Sequence, residues 1–262
     1  MIIKDEEVVR EGDWVLLFSD KVRIITRVER GKQICTIRGI IKLDDVIGLR
    51  YGSKIRTSLG HEITITRPRI DEIMLEKYER PTQVIYPKDA AYIILRGGVG
   101  PGSIVVESGC GSGFMTTFLA WYVRPDGRVI SYDCRREFIE IARKNISMLG
   151  LDKYVEFRER DIIREGIDLP DNYADAIVLD MGRPWDVLEE AYRVLKSGRT
   201  LTIYVPSILQ VERVLRKYKS AGFEDPEVVE ILQRKWKPVP DELRPDTWMI
   251  AHTGFLVFLR KP

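Results

Sequence analysis

A chain of 262 residues with 44% hydrophobic and 31% charged side chains has room for one large or two modest globular domains around a sizeable core. No apolar run approaches the roughly 20 residues of a membrane span, and the opening Met1-Ile2-Ile3-Lys4-Asp5-Glu6-Glu7 lacks the pattern of a signal peptide. Cys35, Cys110 and Cys134 have neither zinc spacing nor the density of a secreted disulfide scaffold, so a cytoplasmic protein with no membrane partner and no metal is expected.

The first part of the chain reads as short strands: Trp14 to Phe18, Val22 to Thr26, Gln33 to Ile37 and Glu62 to Thr66. Glycines at 12, 31, 39, 48, 52 and 60 punctuate them, which predicts a small antiparallel barrel-like domain over residues 1–70. The net charge of +2 conceals an asymmetry here. From Lys21 to Arg69 there are 12 Lys and Arg against 4 Asp and Glu, a local excess of +8, so the remainder sums to −6. A basic β module on an acidic body suggests a polyanion partner, nucleic acid first; a merely solvated face is the competing explanation. Asp71 to Tyr78 is predicted as a helix within a connector, 71–86, that Pro81 and Pro87 interrupt.

From Pro87 to the end, strands and helices alternate, which predicts an open parallel sheet with helices on both faces. Predicted strands are Ser103 to Val106, Arg128 to Tyr132, Val155 to Phe157, Ala174 to Asp180 and Thr200 to Val205. Predicted helices are Phe114 to Trp121, Glu137 to Leu149 and Ile208 to Tyr218. Two further apolar strands, Glu227 to Leu232 and Gly254 to Leu259, have no helical pattern between them and suggest an antiparallel hairpin at the sheet edge.

The most telling segment is Glu107-Ser108-Gly109-Cys110-Gly111-Ser112-Gly113, a glycine-rich turn between a strand and a helix. Small residues let a ligand lie on bare backbone at the helix N-terminus, and Asp133, at the end of the next strand, is placed to take two ribose hydroxyls. The glycines follow G-x-G-x-G and not the dinucleotide spacing G-x-G-x-x-G. Glu107 would repel a pyrophosphate but suits a cofactor bearing an ammonium and a sulfonium. A Rossmann-like sheet binding S-adenosylmethionine is therefore expected. Cys110 and Cys134 lie past adjacent strands; free thiols are expected, with a disulfide as the alternative. A bias toward Lys, Arg and Glu with few Asn and Gln is one seen in heat-adapted, thermophile proteins.

With that layout in place, Gln83-Val84-Ile85-Tyr86-Pro87-Lys88-Asp89, the glycine turn, Leu179-Asp180-Met181-Gly182-Arg183-Pro184-Trp185, Tyr204-Val205-Pro206 with Gln210, and His252-Thr253-Gly254-Phe255-Leu256 resemble the tRNA (adenine-57/58, N1)-methyltransferases of the archaeal and bacterial homotetrameric type. The resemblance spans nearly the whole chain. It departs at Gly182, where the family carries proline, and at Ser108 and Cys110, where alanine and threonine are usual.

The resemblance implies a methyltransferase domain over 87–262, tRNA as partner, a homotetramer, and N1-methyladenosine at T-loop position 58, with 57 left open. It implies that Glu107, Gly109, Gly111, Ser112, Gly113, Phe114 and Met115 bind the cofactor, the turn around Ser112 to Met115 holding its methionine part and Gln83 covering it. Asp133 would bind the ribose, Asp161 and Ile162 the adenine, and Asp180 would act catalytically between cofactor and target base. Tyr86, Tyr204 and His252 would line the substrate side. N1 of adenine has a free lone pair, so a fixed carboxylate near the amino group, and not a base, metal or nucleophilic cysteine, is what the chemistry requires. Two alternatives stay open: a catalytically weak tRNA-binding subunit of the same lineage, and a carboxyl methyltransferase of the isoaspartate type.

Overall fold

Short runs of β-branched and aliphatic residues between glycine turns build the first of two compact units, which divide after Tyr78. The structure is a computed structural model, and it describes residues 8–81 and 83–262; the signal-peptide reading of Met1 to Glu7 lies outside them. Strands β1 (Trp14–Phe18), β2 (Arg23–Arg27), β3 (Gln33–Thr36), β4 (Gly39–Lys42), β5 (Lys54–Arg56) and β6 (Glu62–Thr66) are followed by helix α1 (Ile70–Lys77). They form an antiparallel sheet in the order β2-β1-β6-β5 and a separate β3-β4 ribbon. Val15, Leu17, Ile41, Leu43, Ile63 and Ile65 share one core, so sheet and ribbon close over the same apolar interior.

Helix α1 is not a free connector. It buries Ile73 and Met74, and its Glu72 takes Arg23 of β2 at 2.6 Å. Much of the basic excess in this unit is likewise answered internally: Arg30 meets Glu11, Arg38 meets Asp20, and Lys54 meets Glu62.

The second unit alternates as the apolar spacing requires. It runs α2 (Pro87–Arg96), β7 (Ile104–Ser108), α3 (Phe114–Tyr122), β8 (Arg128–Asp133), α4 (Arg136–Ser147), β9 (Val155–Glu159), α5 (Ile162–Glu165), β10 (Ala174–Leu179), α6 (Leu188–Val194), β11 (Leu195–Val205) and α7 (Ile208–Lys217). It ends with β12 (Glu224–Glu230), the short β13 (Trp236–Lys237) and β14 (Arg244–Pro245), and β15 (Phe255–Arg260). The seven-stranded sheet has the order β12-β15-β11-β10-β7-β8-β9. Strands β11, β10, β7, β8 and β9 are parallel, and β15 runs antiparallel to both β11 and β12. The antiparallel edge is therefore present, although β12 starts at Glu224, ahead of the expected Glu227.

Every residue of β10 is buried, as its unbroken apolar sequence demands of a strand covered on both faces. The strand order reverses between β7 and β10, and the crevice at the C-terminal ends of such a pair is where ligands of open α/β sheets bind. Among the described residues, no helix is long and apolar enough to cross a membrane.

Candidate cofactor and methyl-acceptor site

The glycine turn leaves β7 at Ser108 and enters α3 at Phe114. Gly109 has φ +92°, and a Cβ there would lie 1.8 Å from the carbonyl oxygen of Asp180, so only glycine lets the turn pass beneath the end of β10. The amide of Asp180 donates to Ser108 O at 2.9 Å, fixing that approach. Gly113 caps α3 in the left-handed region, with Ala142 of α4 3.1 Å from where its Cβ would be.

The turn forms one wall of a cavity of about 210 Å³. Gly109 to Ser112, Phe114 and Met115 line it together with Gln83, Val84 and Ile85, Arg135 and Asp180. Of the residues anticipated for the cofactor, Gln83, Gly109, Gly111, Ser112, Phe114, Met115 and Asp180 meet in this cavity. Cys110, Val84, Ile85 and Arg135 line it without having been anticipated.

Glu107 and Gly113 support the turn from behind. Glu107 is buried; its Oε2 accepts from Thr116 Oγ1 and Ser131 Oγ, each at 2.6 Å, while Oε1 has no partner among the described residues. Burial pushes its carboxyl up to about 7, against the pull of those two hydroxyls and with a further push from Asp133. The Ser112 hydroxyl is also buried without a partner among the described residues.

Asp133 ends β8 as expected, buried, and already engaged. Its Oδ2 accepts from Gly111 N at 3.3 Å and lies 3.8 Å from Cys110 Sγ, and its Oδ1 accepts from Arg135 N and Nε at 3.0 and 3.2 Å. Burial, then Glu107 and Asp133, push the Cys110 thiol well above its usual range, so it is a small neutral filler of the wall. All three cysteines are free thiols.

Asp161 caps α5 by accepting from Ile163 N at 3.0 Å, and Ile162 is buried beside it. Arg160 N donates to Asp133 O at 3.0 Å, which brings this end of β9 alongside Asp133. Neither Asp161 nor Ile162 lines the cavity itself.

Asp180 follows β10 and keeps part of its surface open to the cavity. Protein otherwise surrounds it, and burial, then Glu107, then Asp133 push its carboxyl up to about 7. Three acidic groups thus converge on one turn, and a bound cation would relieve their mutual repulsion. Gly182 meets open space where a side chain would start, and its carbonyl accepts from Gln210 Nε2 of α7 at 3.1 Å. The loop that lacks proline is tied down by this amide.

On the acceptor side, Tyr86 is the N-cap residue of α2. The Tyr204 hydroxyl is spent inside the protein, donating to Thr253 O, and its ring lies against Gly254, where a Cβ would sit 2.4 Å from Cζ. Tyr204 is therefore a brace and not a free donor. His252 is exposed, with Nδ1 2.6 Å from Glu230 Oε1 and Nε2 2.8 Å from Pro206 O; these two acceptors raise its pKa, with Glu230 the larger cause.

One residue that the sequence did not single out organises the site. Asn145, fully buried on α4, donates from Nδ2 to Ser112 O and Glu79 O, both at 2.9 Å, and accepts from Glu79 N at 3.1 Å. It joins the turn to the chain entering the Gln83–Ile85 wall. Its signal was a lone amide on the stripe of Ile139, Ala142 and Ile146.

Known proteins are similar to this chain in sequence and in fold. Residues 68–244 match the family model described as the tRNA methyltransferase complex GCD14 subunit, and residues 8–55 match the TrmI-like N-terminal model. The chain is 35% identical to the tRNA (adenine(57)-N(1)/adenine(58)-N(1))-methyltransferase TrmI of Methanocaldococcus jannaschii, over 89% of this chain and 93% of that one. It is 34% identical to the tRNA (adenine(58)-N(1))-methyltransferase TrmI of Thermus thermophilus, over 86% of this chain and 87% of that one. Among solved structures, a SAM-dependent O-methyltransferase from Thermotoga maritima superposes with TM-score 0.89 at 35% identity, covering 100% of this chain and 97% of that one. The tRNA (m1A58) methyltransferase TrmI of Aquifex aeolicus superposes with TM-score 0.84 at 32% identity, covering 97% and 99%.

Proposed function

The chain belongs to the family matched by the tRNA methyltransferase GCD14-subunit model, and on that footing we propose that it methylates N1 of adenine 58 in tRNA, with Asp180 serving the target base. It is a tRNA (adenine-N1)-methyltransferase with the fold of SAM-dependent methyltransferases. The observation that carries the role of Asp180 is its position: a carboxyl at the end of a central strand, across the backbone of Gly109, facing the cavity of the glycine turn.

The residues present suit S-adenosylmethionine. Gly109 leaves no side chain over the turn, and the hydroxyl of Ser112, which lines the cavity, is buried without a partner among the described residues. Gly111, Ser112, Gly113, Phe114 and Met115 would hold its methionine part, Asp133 its ribose, and Asp161 with Ile162 its adenine, with Gln83 covering it. When bound, this cofactor supplies a methyl group made electrophilic by a sulfonium, which N1 of adenine takes with its free lone pair.

The protein's own contribution is electrostatic and positional. Asp180 would accept a hydrogen bond from the adenine amino group and stabilise the positive charge that grows on the methylated ring. A cation beside it would lower the pKa of this carboxyl, raised to about 7, and so favour the carboxylate this task needs. N1 lies on the pairing edge, so the target base must leave its stack to reach Asp180. The basic excess of the N-terminal unit supplies phosphate contacts that hold tRNA without reading its sequence. Assembly as a homotetramer is part of this proposal and is tested by light scattering of the purified protein.

Incubation of the purified protein with methyl-labelled cofactor and two tRNA transcripts, one with adenosine and one with guanosine at position 58, tests the assignment. Label should enter the first transcript and not the second. Equal labelling of both would place the methyl group elsewhere.

A further inference from the structure

Beside the Asp180 pocket lies a buried polar cluster that no step above uses. The Lys88 side chain is only 8% exposed and that of Asp89 is fully buried. Lys88 Nζ donates to Asp89 Oδ1 at 2.8 Å, to Thr253 Oγ1 at 2.6 Å and to Ile231 O at 2.7 Å, so all three of its protons are placed. The Thr253 hydroxyl in turn donates to Asp89 Oδ2 at 2.7 Å, closing the ring of contacts. Replacing a buried ion pair by apolar residues of similar volume is often neutral or stabilising, so stability alone does not account for this cluster.

The geometry it fixes is informative. Ile231 directly follows β12 and Thr253 precedes β15, so the cluster pins both ends of the segment 231–253 to the first turn of α2. From Thr253 the connection continues inward, because its carbonyl receives the Tyr204 hydroxyl and Gly254 lies flat on the Tyr204 ring. The parallel register pairs Leu179 with Ile203, which sets Tyr204 beside Asp180.

We propose that Lys88, Asp89 and Thr253 form a clamp that positions the methyl acceptor: by fixing both ends of the 231–253 segment they hold Tyr204 beside Asp180, giving the target base a wall of fixed shape. The proposal rests on Asp180 as the carboxylate serving that base. These three are positioning residues, acting through Tyr204 and not on the reacting atoms. None of them lines the cofactor cavity, so the expected effect of the clamp is on the acceptor side.

Thr253→Val keeps the side-chain shape and removes the hydroxyl, leaving Lys88 and Asp89 each one partner short; Thr253→Ser keeps the hydroxyl. The valine variant should lose about tenfold or more in kcat on tRNA with its calorimetric affinity for S-adenosylmethionine within about twofold of the parent, and the serine variant should restore most of the rate. Hydrogen exchange across residues 231–254, followed by mass spectrometry without cofactor or tRNA, should be faster in the valine variant and unchanged in the serine variant. Faster exchange with undiminished kcat would overturn the positioning role, and unchanged exchange in the valine variant would overturn the clamp. If the parent protein itself leaves tRNA unmethylated, the role of Asp180 falls, while the exchange comparison still decides the clamp.

Discussion

Asp180 should cost the protein stability in proportion to its charge, and replacing it by asparagine exposes that cost. Its carboxyl is raised from an ordinary 3.8 to about 7, chiefly by burial and then by Glu107 and Asp133. In the unfolded chain the same group ionises near 3.8. Between those values the native state keeps a proton that the unfolded chain has lost, so its stability falls as pH rises, and the full penalty is reached above about 7. Three pH units correspond to about 4 kcal/mol, and the open side of the cavity trims this to roughly 2–4 kcal/mol through solvent screening. Asparagine has nearly the shape of the neutral acid and cannot ionise. The stability gap between Asp180→Asn and the parent should therefore be about 1.5 kcal/mol at pH 5 and widen by about 2 kcal/mol more at pH 8. For a domain of this size that is about 4–8 °C in Tm. Scanning calorimetry of the cofactor-free proteins at both pH values measures the gap, while turnover on tRNA should be nearly abolished. A gap equal at the two pH values, or an asparagine variant less stable than the parent at pH 8, would refute the electrostatic reasoning.

Three further outcomes follow from the same contacts. Gly109→Ala places a methyl group on the Asp180 carbonyl at a positive φ, so it should cost about 2–4 kcal/mol of stability and abolish cofactor binding by calorimetry. Asn145→Ala strands the backbone groups of Glu79 and Ser112 and should cost about 2–4 kcal/mol in chemical denaturation, with weaker cofactor affinity because the Gln83–Ile85 wall loses its tie. Replacing Lys21 and Lys42 by alanine should raise the KM for tRNA and lower the slope of log affinity against log salt by about one for each phosphate no longer neutralised, read in a filter-binding titration.

The parts of this molecule that were legible from sequence are those where local chemistry leaves little choice. A turn of three glycines between an apolar strand and an apolar helix announces itself, and Asp133 and Asp180 stand at strand ends where no core requires a charge. The antiparallel edge could be seen because nothing helical separates its two long strands. Strands β4 and β5 escaped notice because they are four and three residues long, too short for alternation to register. Helix α6, seven residues long, makes under two full turns, too few for a 3.6-residue apolar stripe to repeat.

What stayed hidden depends on partners far away in the chain. Nothing near Asn145 announces that its amide will meet Glu79 and Ser112, and nothing near Lys88 announces Ile231 and Thr253. Tyr204 was placed correctly on its strand, but the capture of its hydroxyl by Thr253 changes it from a contact to a support. The basic excess of the first unit was read correctly as a sum, whereas its internal ion pairs to Glu11, Asp20, Glu62 and Glu72 reduce what is left for a partner.

The most direct measurement is nucleoside mass spectrometry of unmodified tRNA treated in parallel with the parent protein and with Asp180→Ala, each saturated with S-adenosylmethionine. N1-methyladenosine from the parent and almost none from the variant is the predicted result. A ribose-methylated nucleoside from the parent, or undiminished N1-methyladenosine from the variant, would contradict the role given to Asp180.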